Sequence, residues 1–207
     1  MPVEDDATEV LLRRAGSGDR LAVEQLLARH RTRLRRMVKA RMDPRVAARF
    51  DPSDVVQEAL LEASRKLADY LHKRPVPFYP WLRQIAWDKL VDLQRRHIHA
   101  KRRSVLREEF VELPDHSAME LARRLTQSSS SPSGRLMRAE LRERVRAALA
   151  ELAPADREVL VLRYLEGLST PEIAAILRVS QRTVQSRHRL ALERLHQILG
   201  EWHQAET

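Results

Sequence analysis

The sequence predicts an all-α protein of two helical domains joined by a flexible linker, the second domain a helix-turn-helix. Three observations predict it. The chain is rich in Leu, Ala, Arg and Glu, and strand-like alternation is scarce. Its five Gly and ten Pro fall mostly where helices would start or stop. A Ser run with Pro and Gly, "SSSSPSG", separates two blocks of helical texture. A chain of 207 residues is long enough for two small domains with real cores.

The first domain is expected over residues 1–106. Leu26, Leu27, His30, Leu34, Met37 and Val38 recur at helical spacing and give its first clear apolar stripe. A second helix opens at "DPSD", with Asp51 or Ser53 as cap, and carries Val55, Val56, Ala59, Leu60, Ala63 and Leu67 on one side. Asp54, Glu58 and Arg65 project away from that side, with Leu61 among them and Gln57 alongside. A third helix is expected from Pro80, a residue suited to a first helical turn, and carries Leu82, Ile85, Ala86 and Leu93.

Four of the nine aromatic residues (Phe78, Tyr79, Trp81 and Trp87) fall within "PFYPWLRQIAW". A helix starting at Pro80 leaves Phe78 in a loop and Tyr79 outside the helix. Trp81 then lies at the edge of the buried arc, and Trp87 projects nearly opposite it. "QRRHIHAKRRSVLR" follows, with six Lys or Arg and no acid. A second basic run, "RHRTRLRRMVKAR" at 29–41, holds seven Lys or Arg, again without an acid. Residues 107–134 read as linker, with one short helix around 118–125.

The second domain is expected over 135–207, and "LSTPEIAAILRVSQRTVQSRHRLALERLHQIL" is its most specific signal. Ser169 with Glu172 three residues later forms a capping box, and Pro171 sits in the first turn. Ile173, Ala174, Ile176 and Leu177 are the apolar face of a short helix. "RVS" makes the turn, with Val179 pointing inward and Ser180 capping the next helix. Short helix, tight turn and longer basic helix is the helix-turn-helix pattern, whose second helix enters the DNA major groove. On that helix Val184, Ala191, Leu192, Leu195 and Ile198 share the buried arc. Arg182, Gln185, Ser186 and Arg189 lie opposite, with Thr183 and Arg187 at the margins. These residue types read base edges or hold phosphates.

Charge agrees with an anionic partner. Lys and Arg outnumber Asp and Glu 38 to 29, for a net +9, and the sequence pI is near 10.7. No apolar run approaches a spanning length, and "MPVEDDATEV" lacks a signal-peptide core, so a cytoplasmic protein without membrane insertion is expected. The absence of Cys excludes disulfides and thiolate metal sites within the chain. His97 and His99 are two apart, a poor metal pair on a helix. Asp5, Asp6, Asp51, Asp54 and Glu58 offer no third convergent ligand, and neither a Gly-rich phosphate loop nor a nucleophile motif occurs. Catalysis by the chain, a metal and a cofactor are therefore not expected.

A helix-turn-helix alone fits many regulators, including one with an unrelated helical N-terminal domain that never replaces a polymerase subunit. The ordered series "DPSDVVQEALLEASRKLADY", "PFYPWLRQIAWDKLVDLQRRHIHAKRR" and the C-terminal segment resembles the bacterial extracytoplasmic-function sigma factors of RNA polymerase. The resemblance covers nearly the whole chain except linker and tail. It implies that Asp54, Gln57, Glu58, Leu61 and Arg65 dock on the clamp coiled coil of the β′ subunit of core polymerase, with further contact to the β subunit. It implies −10 recognition and melting by the segment near 74–103. His72, Lys73, Arg74 and Phe78 would lie at the loop that cradles a flipped base. Tyr79 and Trp87 would meet the open strand, and Arg95, Arg96, Lys101, Arg102 and Arg103 would hold phosphates. Ser180, Arg182, Thr183, Gln185, Ser186, Arg187 and Arg189 would read the −35 element as duplex. Asp88 departs from the Asn often present in the family, so base preference at −10 is not carried over. An anti-sigma factor is a further implied class of partner.

Overall fold

The computed structural model describes residues 2–98, 113–126 and 135–205, and all regular structure among them is helical. The chain separates into two units, 1–106 and 107–207.

In the first unit α1 (Pro2–Gly16) and α2 (Arg20–Arg41) form a hairpin. Its turn needs Gly18 at φ +88°, a left-handed conformation that a Cβ would strain. Asp19 caps α2, accepting from the Ala22 N–H at 3.1 Å, and Arg14 donates to the same carboxylate at 2.7 and 2.9 Å. The Arg14 guanidinium and the capping N–H hold the Asp19 carboxyl below its ordinary range. A short α3 (Pro44–Ala47) leads to α4 (Pro52–Lys73). Asp43 and Asp51 cap these two helices, each with Pro at the helix start. Of the two caps expected for α4, Asp51 is the one used, accepting from Ser53 N–H at 2.7 Å.

α4 ends on Arg74 in the left-handed conformation (φ 37°), whose N–H returns to the Tyr70 carbonyl at 2.7 Å. α5 (Phe78–Ile98) packs across α4 and α2, and Gln94 donates to the Arg41 carbonyl at 2.9 Å. Leu26, Leu34, Met37, Val38, Val56, Ala59, Ala63, Leu82 and Leu90 are fully buried between these helices. Each such Leu contributes roughly 1.5–3 kcal/mol by leaving water.

The second unit starts earlier than residue 135. α6 (Asp115–Thr126) lies inside the stretch expected to be linker, yet packs on α7 (Arg135–Glu151), with Ser117, Leu121 and Ala122 buried. α8 (Pro154–Leu160) runs into a π-helical turn (Val161–Leu165), then α9 (Thr170–Leu177) and α10 (Gln181–Ala205). α10 is the long element of this unit and packs on α7, α8 and α9. Leu149, Leu160, Leu162, Leu168 and Ile173 form the core beneath it, together with its own Val184 and Ala191.

Candidate nucleic-acid interface

The α9–turn–α10 segment has the expected helix-turn-helix construction. The Ser169 N–H donates to Glu172 Oε2 at 2.9 Å, which closes the capping box. Arg178 takes the left-handed conformation at φ 53°, and the Val179 N–H returns to the Ala174 carbonyl at 3.1 Å. Ser180 Oγ accepts from the Thr183 N–H at 3.0 Å and pairs with Thr183 Oγ1 at 2.8 Å. Both hydroxyls therefore build the cap that starts α10. Val184, Ala191, Leu195 and Ile198 are buried, as the helical projection requires, but Leu192, expected with them, is half-buried; Arg182, Gln185 and Arg189 are exposed and Ser186 and Arg187 half-buried. Arg189 lies 3.2 Å from Glu193, an exposed pair one turn apart that solvent keeps weak.

A relay of contacts fixes α10 from behind. Glu120 of α6 binds Arg123 at 2.6 Å and Arg124 at 2.8 Å, and Arg124 also donates to the Tyr164 carbonyl in the π turn. The Arg123 hydrogen bond leads in pulling the Glu120 carboxyl down to about 2, Arg124 adds to it, and partial burial opposes both. The Tyr164 hydroxyl reaches His188 Nε2 of α10 at 3.1 Å, and the two rings stack with centroids 5.8 Å apart. Burial, then the nearby Arg163 charge, pushes the His188 pKa down and favours the neutral ring. Neither α6 nor the Tyr164–His188 contact was legible from sequence as part of the reading head. The sequence placed a short helix around 118–125 but gave no sign of what it packs on.

In the first unit the stripe of α4 is laid out as expected. Asp54, Gln57, Glu58, Leu61 and Arg65 are all exposed. Leu61 shows 56 % of its surface, in contrast to buried Val55, Val56 and Ala59 on the other side. Arg65 lies 3.8 Å from Glu62, which also holds Lys66 at 3.0 Å.

The aromatic stretch folds differently from the sequence expectation. α5 begins at Phe78, two residues before the expected Pro80. A proline at the third helical position forfeits no internal hydrogen bond, because the first N–H groups of a helix have no partner within it. Burial of two rings outweighs the disfavoured helical conformation before proline. Phe78 and Tyr79 are 4 % and 3 % exposed, so neither ring is available to an open DNA strand. Phe78 packs among His30, Tyr70 and Trp81, with ring centroids 5.3, 5.5 and 5.6 Å away. Tyr79 is covered by the Arg33 guanidinium, 3.8 Å from its ring centroid. Trp81 stacks on Tyr70 at 4.5 Å, the supporting role expected of it. Trp87 is half-buried rather than free, with the Arg41 and Arg83 guanidiniums each 5.9 Å from its ring. Both of those arginines are buried.

His72, Lys73 and Arg74 remain at the surface beside this cluster. The Tyr70 hydroxyl ties the loop down by donating to the Val76 carbonyl at 3.0 Å. Arg74 meets Glu9 of α1 at 2.9 Å, a partner 65 residues away that no local sequence signal marks. Asp88 accepts from Gln84 at 2.9 Å. Desolvation by the surrounding protein and repulsion from Asp92 lift its pKa above the ordinary range, against the pull of Gln84 and Lys66. Arg95 and Arg96 are exposed at the end of α5. Lys101, Arg102 and Arg103 lie outside the described residues. In the second basic run, Arg29, Arg31, Arg35, Arg36 and Lys39 lie on the outer face of α2.

Both units match family models, described as Sigma-70 region 2 over residues 26–99 and Sigma-70, region 4 over residues 142–195. The chain is 32 % identical to the RNA polymerase sigma factor CnrH of Cupriavidus metallidurans, across 94 % of this chain and 95 % of that one. The chain belongs to the extracytoplasmic-function sigma factors. It is similar along most of its length to the sigma-E factor of Escherichia coli K12, with 31 % identity over 86 % of this chain and 87 % of the other. A solved structure of CnrH in complex with the cytosolic domain of CnrY superposes with a TM-score of 0.54 at 30 % identity, covering 95 % of this chain and 99 % of CnrH. The protein is thus a sigma factor that directs promoter-specific transcription by RNA polymerase, and the stand-alone regulator is not favoured. The region 2 match excludes α1, so Glu9, the partner of Arg74, lies outside the matched segment.

Proposed function

We propose a division of labour between the two units. The region 2 unit docks on the clamp coiled coil of the β′ subunit through Asp54, Gln57, Glu58, Leu61 and Arg65, with a further contact to the β subunit. Its −10 face is formed by His72, Lys73, Arg74, Trp87, Asp88, Arg95 and Arg96, with Lys101, Arg102 and Arg103 extending it; Phe78 and Tyr79 act from below as support. The region 4 unit reads the −35 duplex with Arg182, Gln185, Ser186, Arg187 and Arg189, while Ser180 and Thr183 set the helix start. The protein works in the cytoplasm by binding, without catalysis of its own and without a cofactor. An anti-sigma factor is part of the proposal, by analogy with the complex of CnrH and CnrY.

The observation that carries this reading is the split surface of α10, apolar and buried behind, polar and basic in front. Two promoter contacts on one chain reinforce each other through effective concentration. A separation-of-function pair tests the assignment. Arg189→Ala should weaken −35 binding about 5- to 100-fold if it makes a base contact, and leave core association intact. Glu58→Arg should weaken core association and leave −35 binding intact. The reverse pattern, or unchanged binding in both variants, refutes the assignment of the two faces.

A further inference from the structure

Leu190 is a large apolar side chain left 47 % exposed on α10, while Val184, Ala191, Leu195 and Ile198 of the same helix are 5 % exposed or less. It is therefore not part of the stripe that holds the helix in place. At about 100° per residue, Arg182, Ser186 and Leu190 form one row (i, i+4, i+8), and Gln185, Arg189 and Glu193 form the row beside it. Both rows face away from the core. Leu190 stands at the end of the first row, about 12 Å along the helix from Arg182. Every other member of the two rows is polar or charged.

The major groove offers one apolar feature that distinguishes base pairs, the 5-methyl group of thymine. A guanidinium or an amide reads donors and acceptors, and an aliphatic side chain set among them reads that methyl. We infer that Leu190 is a specificity residue of the −35 interface, contacting a thymine methyl beside the bases met by Ser186 and Arg189. The inference rests on the −35 reading above and adds a base identity to it: at least one thymine is required at the far end of the recognised element. A lone exposed Leu is ordinary on a protein surface. The assignment comes from its place in the row that the helix-turn-helix geometry turns toward DNA.

The test replaces thymine by deoxyuracil, which deletes only the methyl group. Holoenzyme formed from core polymerase and the full chain is titrated against labelled promoter duplexes selected for binding to it. Each −35 thymine is replaced singly. Loss of one buried methyl weakens binding about fourfold. The wild type should show that loss at one or two adjacent positions, with no effect of deoxyuracil outside the element. Leu190→Ala should bind the thymine duplex about fourfold more weakly and be indifferent to deoxyuracil at those positions. Its melting curve should match wild type, because an exposed side chain supports little of the core.

Wild-type indifference at every thymine overturns the inference, and so does a Leu190→Ala protein that keeps the full deoxyuracil penalty. If Leu190→Ala instead loses core association, the residue belongs to a polymerase contact; the inference fails and the −35 reading stands. If scrambling the whole −35 element leaves wild-type binding unchanged, the −35 reading itself fails.

Discussion

Replacing Phe78 by Ala separates the two roles that the aromatic cluster can play. The ring is 4 % exposed and lies 5.3–5.6 Å from the rings of His30, Tyr70 and Trp81. Truncation removes the ring's transfer energy and leaves a cavity bounded by three other rings, which relax only in part. Substitutions of this kind cost about 3–5 kcal/mol. A small domain has only about 5–15 kcal/mol to lose. Trp81 and Trp87 lie in the first unit and Trp202 in the second, so urea unfolding followed by tryptophan fluorescence in a Trp202→Phe background reports on the first unit. With a slope of about 1–3 kcal/mol per molar urea, the midpoint should fall by about 1 M or more. Phe78→Leu should recover much of the loss because it refills most of the cavity. A Phe78→Ala protein with an unchanged midpoint and impaired promoter opening would refute the burial argument and return the ring to the DNA.

Trp87→Ala should affect stability as well as promoter opening. The ring lies against two buried guanidiniums, and its loss should cost about 1–2 kcal/mol, with Trp87→Phe recovering most of it in the same urea assay. In the second unit, two groups should give pH dependences in separate windows. The Glu120 carboxyl is held down at about 2 when folded, so its contribution is complete above the ordinary carboxylate range and is lost as pH falls toward 2. Because its side chain is 35 % exposed, solvent screening limits that contribution to about 1 kcal/mol, and calorimetry of Glu120→Gln should show a loss of that size at neutral pH. The His188 pKa is lowered on folding, so the unfolded chain takes up its proton first. Stability of the second unit should be full above the ordinary histidine range and fall as the pH drops through about 6.5. His188→Gln should flatten that slope.

The helix-turn-helix was legible in the sequence because its signals are local. The Ser169–Glu172 box, the three-residue turn and the Ser180 cap each act within four residues, and the structure reproduces all of them. The outer stripe of α4 was legible for a related reason, since one helical period decides which residues face outward. The aromatic cluster was not legible, because its burial depends on partners far along the chain: His30 and Arg33 from α2, and Tyr70 from α4. Pro80 suggested a helix start but could not show whether the helix began at the proline or two residues before it. Glu9 and Arg74, or Tyr164 and His188, likewise carry no mark of their pairing until the fold brings them together. A short helix around 118–125 was legible, but its membership of the second unit was not, because the stretch around it is polar and Ser-rich. Its hold on the second unit comes through Leu121 and Ala122, two residues that periodicity alone weights lightly.

Sigma activity is tested by transcription with purified core polymerase, this chain and promoters selected from its own genome. Core enzyme and chain should associate. Transcripts should start at a fixed distance from a −35 and −10 pair, depend on both elements, and vanish when the chain is omitted. Core enzyme that neither binds the chain nor initiates at any selected promoter in its presence would refute the sigma-factor assignment.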